Sequence, residues 1–203
     1  MRVVIIAGGD FSYKGKITAE DYVICADRGY DSALEHGIKV DVLMGDMDSV
    51  KANTEAFPHS VLYPRRKDYT DTELAVRYAV SLKPDEIVLL GCFGTRTDHS
   101  IANVFLLKHL CDCGIKAHIE DENNCIYYYK NTFELVGMKG KTVSLIPLTD
   151  SIKGITTKGL DYPLQDGELA FGETKGISNV IIEDVASYTS QSGEGIIVIT
   201  DGI

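Results

Sequence analysis

The 203-residue chain has no tryptophan, only five prolines, and more acid than base. No apolar run approaches the ~18 residues of a membrane-spanning helix. The first run, Val3–Ala7, is too short for the apolar region of a signal peptide and is followed by Gly8, Gly9 and Asp10. A cytoplasmic protein without a membrane partner is therefore expected. Twenty Lys and Arg stand against thirty Asp and Glu, a formal net charge of −10. Such a surface repels a phosphate backbone, which argues against nucleic acid as a partner. A basic membrane-surface helix is missing too. The five cysteines are odd in number and contain no C-x-x-C pair, so they read as reduced thiols and not as a disulfide or zinc framework.

What is present is an ordinary globular composition, 44% apolar and 25% charged. In the first part of the chain, short apolar runs alternate with helical patterns. Arg2–Ala7, Tyr22–Ala26, Val40–Met44, Ser60–Tyr63, Glu86–Leu90 and Lys116–Glu120 read as strands. Residues 71–82 place Leu74, Ala75, Tyr78, Ala79 and Leu82 on one helical stripe, and Thr70-x-x-Glu73 forms a capping box with Thr70 as N-cap. Residues 98–112 repeat the pattern through Ile101, Val104, Phe105 and Leu107, and Gly114 ends that helix. Asp31–His36 is a shorter helix. Alternation of this kind predicts an α/β fold with a mostly parallel, helix-covered sheet. From Cys125 onward the helical signal stops, and seven short strand-like runs separated by turn residues, Lys130-Asn131 and Ser192-Gly193 among them, suggest a small β-sandwich or open barrel. The predicted boundary gives an α/β domain over 1–123 and an all-β domain over 124–203.

Polar clusters follow the predicted carboxyl ends of four strands, where open α/β sheets hold their ligands. They are Ala26-Asp27-Arg28-Gly29, Gly45-Asp46-Met47-Asp48-Ser49, Arg65-Arg66-Lys67-Asp68-Tyr69-Thr70-Asp71, and Gly91-Cys92-Phe93-Gly94-Thr95-Arg96-Thr97-Asp98-His99. Asp46 and Asp48 fall on one face of extended chain, and paired hard oxygens suit Mg²⁺. An isolated G-D-x-D reads equally as a turn, and Asp71 or Asp98 alone reads as a helix cap. Four carboxylates at one sheet edge, however, repel one another unless a cation joins them. The arginines of the same loops, Arg96 above all, can fork onto phosphate oxygens. The combination fits a metal–polyphosphate ligand. His99 reads first as a helix or core residue. Gly137-Met-Lys-Gly140-Lys141-Thr142 mimics the tail of a P-loop but leads into a strand, and Gly8-Gly9 offers backbone amides without a dinucleotide fingerprint.

These clusters, with Ser144-Leu145-Ile146-Pro147 and Gly176-Ile177-Ser178-Asn179 later in the chain, resemble the thiamine pyrophosphokinase (thiamine diphosphokinase) family in order and spacing. The resemblance implies an N-terminal Rossmann-like catalytic domain and a C-terminal β-sandwich that helps bind thiamine. It also implies a homodimer with active sites between subunits, and the reaction ATP + thiamine → AMP + thiamine diphosphate with Mg²⁺. Carried over by position, Asp46, Asp48, Asp71 and Asp98 match the acidic catalytic and metal site. Asp27, Arg28, Lys67, Asp68, Thr95, Arg96 and His99 fall in the nucleotide-binding motifs, with Arg96 the phosphate contact. Ser178 and Asn179 match the thiamine-pocket segment; Asp71 is counted with them in binding thiamine, and on chemical grounds it is the expected base for the hydroxyl. Lys67 stands where eukaryotic relatives carry Gln, Met47 where Phe is commoner, and the missing tryptophan removes an aromatic wall some relatives have. A metal-dependent nucleotide hydrolase and a non-catalytic thiamine-binding protein are the rival readings.

Overall fold

The computed structural model describes residues 1–46, 50–51, 60–62 and 68–201. Asp48 and Lys67, with Met47, Ser49, Arg65 and Arg66, lie outside the described residues. The chain divides into two compact units, Met1–Glu122 and Asn123–Ile203. The ladders are parallel in the first and antiparallel in the second, an α/β fold with three helices among the described residues.

The first unit contains β1 (Arg2–Ile6), β2 (Tyr22–Ala26), α1 (Gly29–Glu35), β3 (Val42–Gly45), β4 (Ser60–Leu62), α2 (Asp71–Ser81), β5 (Glu86–Leu90), α3 (Thr97–Asp112) and β6 (Lys116–Glu120). Its strands are all parallel in the order β4-β3-β2-β1-β5-β6. The last four residues of each of β1, β2, β3 and β5 are buried without a break, as a sheet covered on both faces requires. The third strand begins at Val42 and not at Val40, because the Asp41 carboxylate accepts from the Val23 amide at 2.9 Å and fixes the strand's entry.

Thr70 caps α2 as expected, its hydroxyl accepting from the Glu73 amide at 3.1 Å. Glu73 does not return the contact; its carboxylate pairs with Arg77 at 2.9 Å. The covered face of α2 is Thr72, Ala75, Val76 and Ala79, with Leu74 and Tyr78 only partly covered. On α3 the expected stripe is rotated. Asn103, Leu107 and Leu110 face inward, while Ile101 and Phe105 are 51% and 53% exposed. A buried hydrogen bond causes this: the Asn103 amide donates to the Cys92 carbonyl at 2.9 Å and turns the polar residue's face to the sheet. Gly114 ends the helix at φ +73°.

The second unit contains β7 (Asn124–Val136), β8 (Thr142–Pro147), β9 (Ser151–Lys158), β10 (Gly167–Ala170), β11 (Asn179–Val180) and β12 (Val185–Thr200), with every pairing antiparallel. Two expected turns, Lys130-Asn131 and Ser192-Gly193, do not end the strands that contain them. They face each other as one irregularity in the β7–β12 ladder, whose register shifts between Thr189 and Glu194. Beyond it, β12 exchanges one neighbour for another: Ser187–Thr189 pair with β9, and Gly195–Thr200 with β8. Residues of β7, β8, β9, β10 and β12, among them Tyr129, Leu145, Ile155, Leu169 and Ile197, share one core. Ile197 is wholly buried, and truncating such a side chain to alanine costs about 2–5 kcal/mol.

Candidate active site

The order of the first unit's strands decides where a ligand can sit. From β1 the chain runs outward through β2 and β3 to β4, then returns to place β5 on the other side of β1. The strand order reverses between β1 and β5, and ligands of such sheets usually sit beyond the carboxyl ends of the strands at that switch point. A cavity of about 440 Å³ lies there, lined by Gly8 and Gly9 after β1, Asp27 and Arg28 after β2, Asp46 after β3, and Thr95 and Arg96 after β5. The first residues of α2 and α3 complete it, through Thr70, Asp71 and Thr72 on one side and His99, Ser100 and Asn103 on the other. Amides at helix starts favour an anionic ligand.

Local backbone geometry sets these groups. The loop after β1 is tied to the loop after β5 by Gly9 N to Gly91 O at 2.8 Å and Asp10 N to Phe93 O at 2.6 Å. A Cβ at Gly9 would stand 2.5 Å from the Gly91 oxygen and closer still to that of Phe93, so only glycine allows the approach. Asp27 adopts φ +49°, its amide donating to Met44 O at 2.8 Å, which turns the chain from β2 into α1. Gly45 sits at φ +148°, and a Cβ there would meet Asp71 Oδ1 at 3.1 Å and Asp27 Cβ at 3.4 Å. Gly45 thus marks the point where the acidic loops meet: Asp27 and Asp71 flank it and Asp46 follows it. Among the described residues these three carboxylates do not by themselves close into a three-ligand set; one or two of them, completed by phosphate oxygens and water, are the hard-oxygen donors that Mg²⁺ usually takes.

Arg96 and Asp98 stand differently from the expected division of labour. They pair with each other through two hydrogen bonds, Nε to Oδ1 at 3.2 Å and Nη2 to Oδ2 at 2.6 Å, with both side chains about two-thirds exposed at 67% and 66%. The guanidinium holds the Asp98 carboxyl below its ordinary range. Arg96 lines the cavity; Asp98 does not. Asp68 is exposed and does not line it either. His99 is exposed at the cavity wall, so a core role is excluded. Cys92, beneath the loop, is buried, and burial pushes its thiol up to about 12.

Three lining residues escaped the sequence reading: Thr72, Ser100 and Asn103. Ser100 accepts from the Gly94 amide at 3.3 Å and donates to Arg96 O at 3.1 Å, shaping the loop from within. A signal existed for Asn103, since it falls on the stripe of Leu107 and Leu110 at i, i+4 and i+7, a polar residue on the buried face.

The second unit holds a cavity of about 500 Å³ with largely apolar walls, including Leu145, Leu164, Leu169, Ile177 and Tyr188, together with Ser178 and Asn179. Asn179 is fully engaged with its own wall: Oδ1 accepts from the amides of Tyr162 at 3.0 Å and Val180 at 2.9 Å, and Nδ2 donates to Tyr162 O at 2.7 Å. Its side chain builds the pocket edge that carries Tyr162. Ser178, at φ +60°, donates its amide to Ser144 Oγ at 3.0 Å.

The profile of the thiamin pyrophosphokinase catalytic domain matches residues 13–119, and that of the thiamin pyrophosphokinase vitamin B1 binding domain matches residues 128–194. The chain belongs to the thiamine pyrophosphokinase family. It is 30% identical to the thiamine pyrophosphokinase of Bacillus subtilis strain 168 over 177 residues, 84% of this chain and 83% of that protein. With thiamine pyrophosphokinase 1 of Oryza sativa subsp. japonica it shares 25% identity over 76% of this chain and 64% of the relative. The crystal structure of the Bacillus subtilis thiamine pyrophosphokinase superposes with a TM-score of 0.91 at 27% identity, covering 100% of both chains. No described helix is long and apolar enough to cross a membrane.

Proposed function

We propose that this chain is an ATP-dependent thiamine diphosphokinase, transferring the β,γ-diphosphoryl group of ATP whole to the hydroxyl of thiamine and releasing AMP. The observation that carries the reading is the coincidence of a family match with a built site. The catalytic-domain match covers the unit whose cavity gathers Asp27, Asp46 and Asp71 beside Arg28, Arg96 and two helix starts. The B1-binding match covers the unit with the apolar cavity at Ser178–Asn179. In finer terms, we read residues 1–123 as a Rossmann-like catalytic domain and 124–203 as a β-sandwich for thiamine.

The transfer needs a hydroxyl aligned with the β-phosphorus and negative charge neutralised on both phosphates. Asp46 and Asp71, with Asp48 beyond the described residues and Asp27 adjoining, are the groups that would hold Mg²⁺. When bound, that ion neutralises phosphate charge. Arg28 and Arg96 supply the fixed positive charge of the chain itself, Arg96 by leaving Asp98 for a phosphate oxygen, and Lys67 and Asp68 belong to the same nucleotide motif. The amides after β1 and at the start of α3, with Thr95 and His99, line the phosphate path. Asp71, carried on the first turn of α2, takes the proton from the thiamine hydroxyl.

Incubation with ATP and Mg²⁺, with and without thiamine, tests the reading by chromatography. AMP and thiamine diphosphate in equal amounts, only when thiamine is present, are expected. AMP or ADP without thiamine points to a hydrolase, and thiamine binding without turnover to a binding protein. We further read the enzyme as a cytoplasmic homodimer with active sites at the subunit interface; sedimentation at twice the chain mass of 22.3 kDa is the expected result.

A further inference from the structure

The floor and the rim of the second unit's cavity differ in character. Its buried lining residues include Leu145, Leu169 and Tyr188, its exposed ones Tyr162, Lys175 and Ile177. Among the described lining residues only Lys175 carries a formal charge, and none is an Asp or Glu. The loop bearing it is fastened to the wall. Gly176 O accepts from the Leu145 amide at 2.9 Å, the Ser178 amide donates to Ser144 Oγ at 3.0 Å, and the Ile177 amide closes a turn on Thr174 O at 3.1 Å. A Cβ at Gly176 would stand 2.2 Å from the Leu145 oxygen, so glycine permits this approach and sets the lysine beside the mouth. Lys130, Lys141 and Lys153 of the same unit are held by Glu194, Asp201 and Glu168. Lys175 has no such carboxylate among the described residues.

That charge does not suit the substrate. Thiamine carries a permanent positive charge on its thiazolium ring and no negative one, so an ammonium at the mouth repels it weakly. The product suits it better. Polyphosphate is not desolvated among apolar walls, so the hydroxyl that receives the diphosphoryl group has to stand at the mouth. The transferred diphosphate therefore ends at the rim, where Lys175 stands. We propose that Lys175 binds the diphosphate of newly formed thiamine diphosphate, so that the cavity retains the product and the product inhibits in competition with thiamine. This rests on the reading of the second unit's cavity as the thiamine site. It gives that site a control on turnover that the substrate itself does not engage.

The test measures binding of thiamine and of thiamine diphosphate by calorimetry, without ATP, to the wild-type chain, Lys175→Met and Lys139→Met. Lys139 is exposed and does not line the cavity, so its variant makes the same change in net charge away from the mouth. Lys175→Met should bind thiamine diphosphate about three- to tenfold more weakly, the range of an exposed ion pair with a multiply charged phosphate. Its affinity for thiamine should stay within about twofold of wild type. The inhibition constant of thiamine diphosphate against thiamine should rise by the same factor as its dissociation constant. Lys175→Arg should behave as wild type, and high salt should erase the difference between wild type and Lys175→Met. Should Lys175→Met not fold, Lys175→Gln, checked by thermal melting, takes its place. Equal weakening of both compounds by the variant, no change in either, or the same change in Lys139→Met would overturn the proposal. So would a raised KM for ATP with product affinity intact, which would give the lysine to the incoming nucleotide. Product binding through Lys175 without turnover would sink the proposed reaction and leave this assignment standing; failure of the wild type to bind either compound would sink both.

Discussion

Replacing Gly9 by alanine tests whether the paired loops after β1 and β5 position the reacting phosphates. The added methyl would lie 2.5 Å from the Gly91 oxygen and 2.8 Å from the Phe93 carbonyl carbon, against ordinary contact at 3.4 Å and beyond. Both obstacles are backbone, so no side chain can swing aside, and the loops must part by about 1 Å. Parting them strains the bonds from Gly9 N to Gly91 O and from Asp10 N to Phe93 O. At about 1 kcal/mol each, their loss destabilises the protein by about 2 kcal/mol. For a protein of this size that lowers the melting temperature by about 4–8 °C. Displacement of catalytic groups by about 1 Å lowers turnover about 100-fold. Calorimetry and chromatographic assay of thiamine diphosphate read the two effects. Gly114→Ala is the control, since a Cβ there meets nothing within 4 Å and only the φ of +73° is strained; it should lose about 1 kcal/mol and no turnover. A Gly9→Ala protein with wild-type melting and kcat/KM within twofold of wild type would refute the argument.

Three other perturbations have defined outcomes. Asp46→Asn and Asp71→Asn should each lower kcat at least about 100-fold at saturating Mg²⁺ while leaving urea midpoints nearly unchanged, because relief of like-charge crowding offsets a lost turn contact; near-normal turnover in both would remove them from the metal–ATP site. The hydrogen bonds from Arg2 hold the Asp21 carboxyl at about 2, below its ordinary 3.8, so the native state resists protonation there. Its stabilisation, about 2 kcal/mol, is complete above about pH 4 and lost as pH falls through about 2; urea titrations across that range should show a shallower acid dependence in Asp21→Asn. Asn179→Ala removes three hydrogen bonds from the wall bearing Tyr162, so it should raise the KM for thiamine several-fold and leave the KM for ATP in place.

Backbone grammar was readable where a local rule acts alone. Thr70 at the start of α2, Gly114 after α3, and the uninterrupted apolar strands Val3–Ile6 and Ile87–Leu90 depend on capping, handedness and burial on both faces, all of which lie within a few residues. Failures came where a distant partner decides. Ile101 and Phe105 looked like core by periodicity, but the Cys92 carbonyl, eleven positions away from Asn103, rotates the face. Lys130-Asn131 and Ser192-Gly193 looked like two turns, and only their meeting across the ladder makes them one bend. In the site, Asp27, Asp46 and Asp71 were legible because acidic loops at strand ends have a shared cause. The Arg96–Asp98 pairing and the engaged amide of Asn179 were not, since each depends on side-chain geometry that spacing does not encode.

The placement of β5 beside β1 has a kinetic consequence. The ladder from Arg2–Glu86 to Ile6–Leu90, extended by the ion pair of the amino terminus with Asp85, joins points 84 positions apart. The strands β1, β2 and β3 can meet while the chain is still short, but the phosphate loops face each other only once that long segment has closed. Closure entropy and non-local pairing make such a step slow. In refolding, local helix and the pairing of β1 with β2 and β3 should therefore precede nucleotide affinity, which waits for β5 to pair with β1 and so reports that the two halves of the sheet have joined.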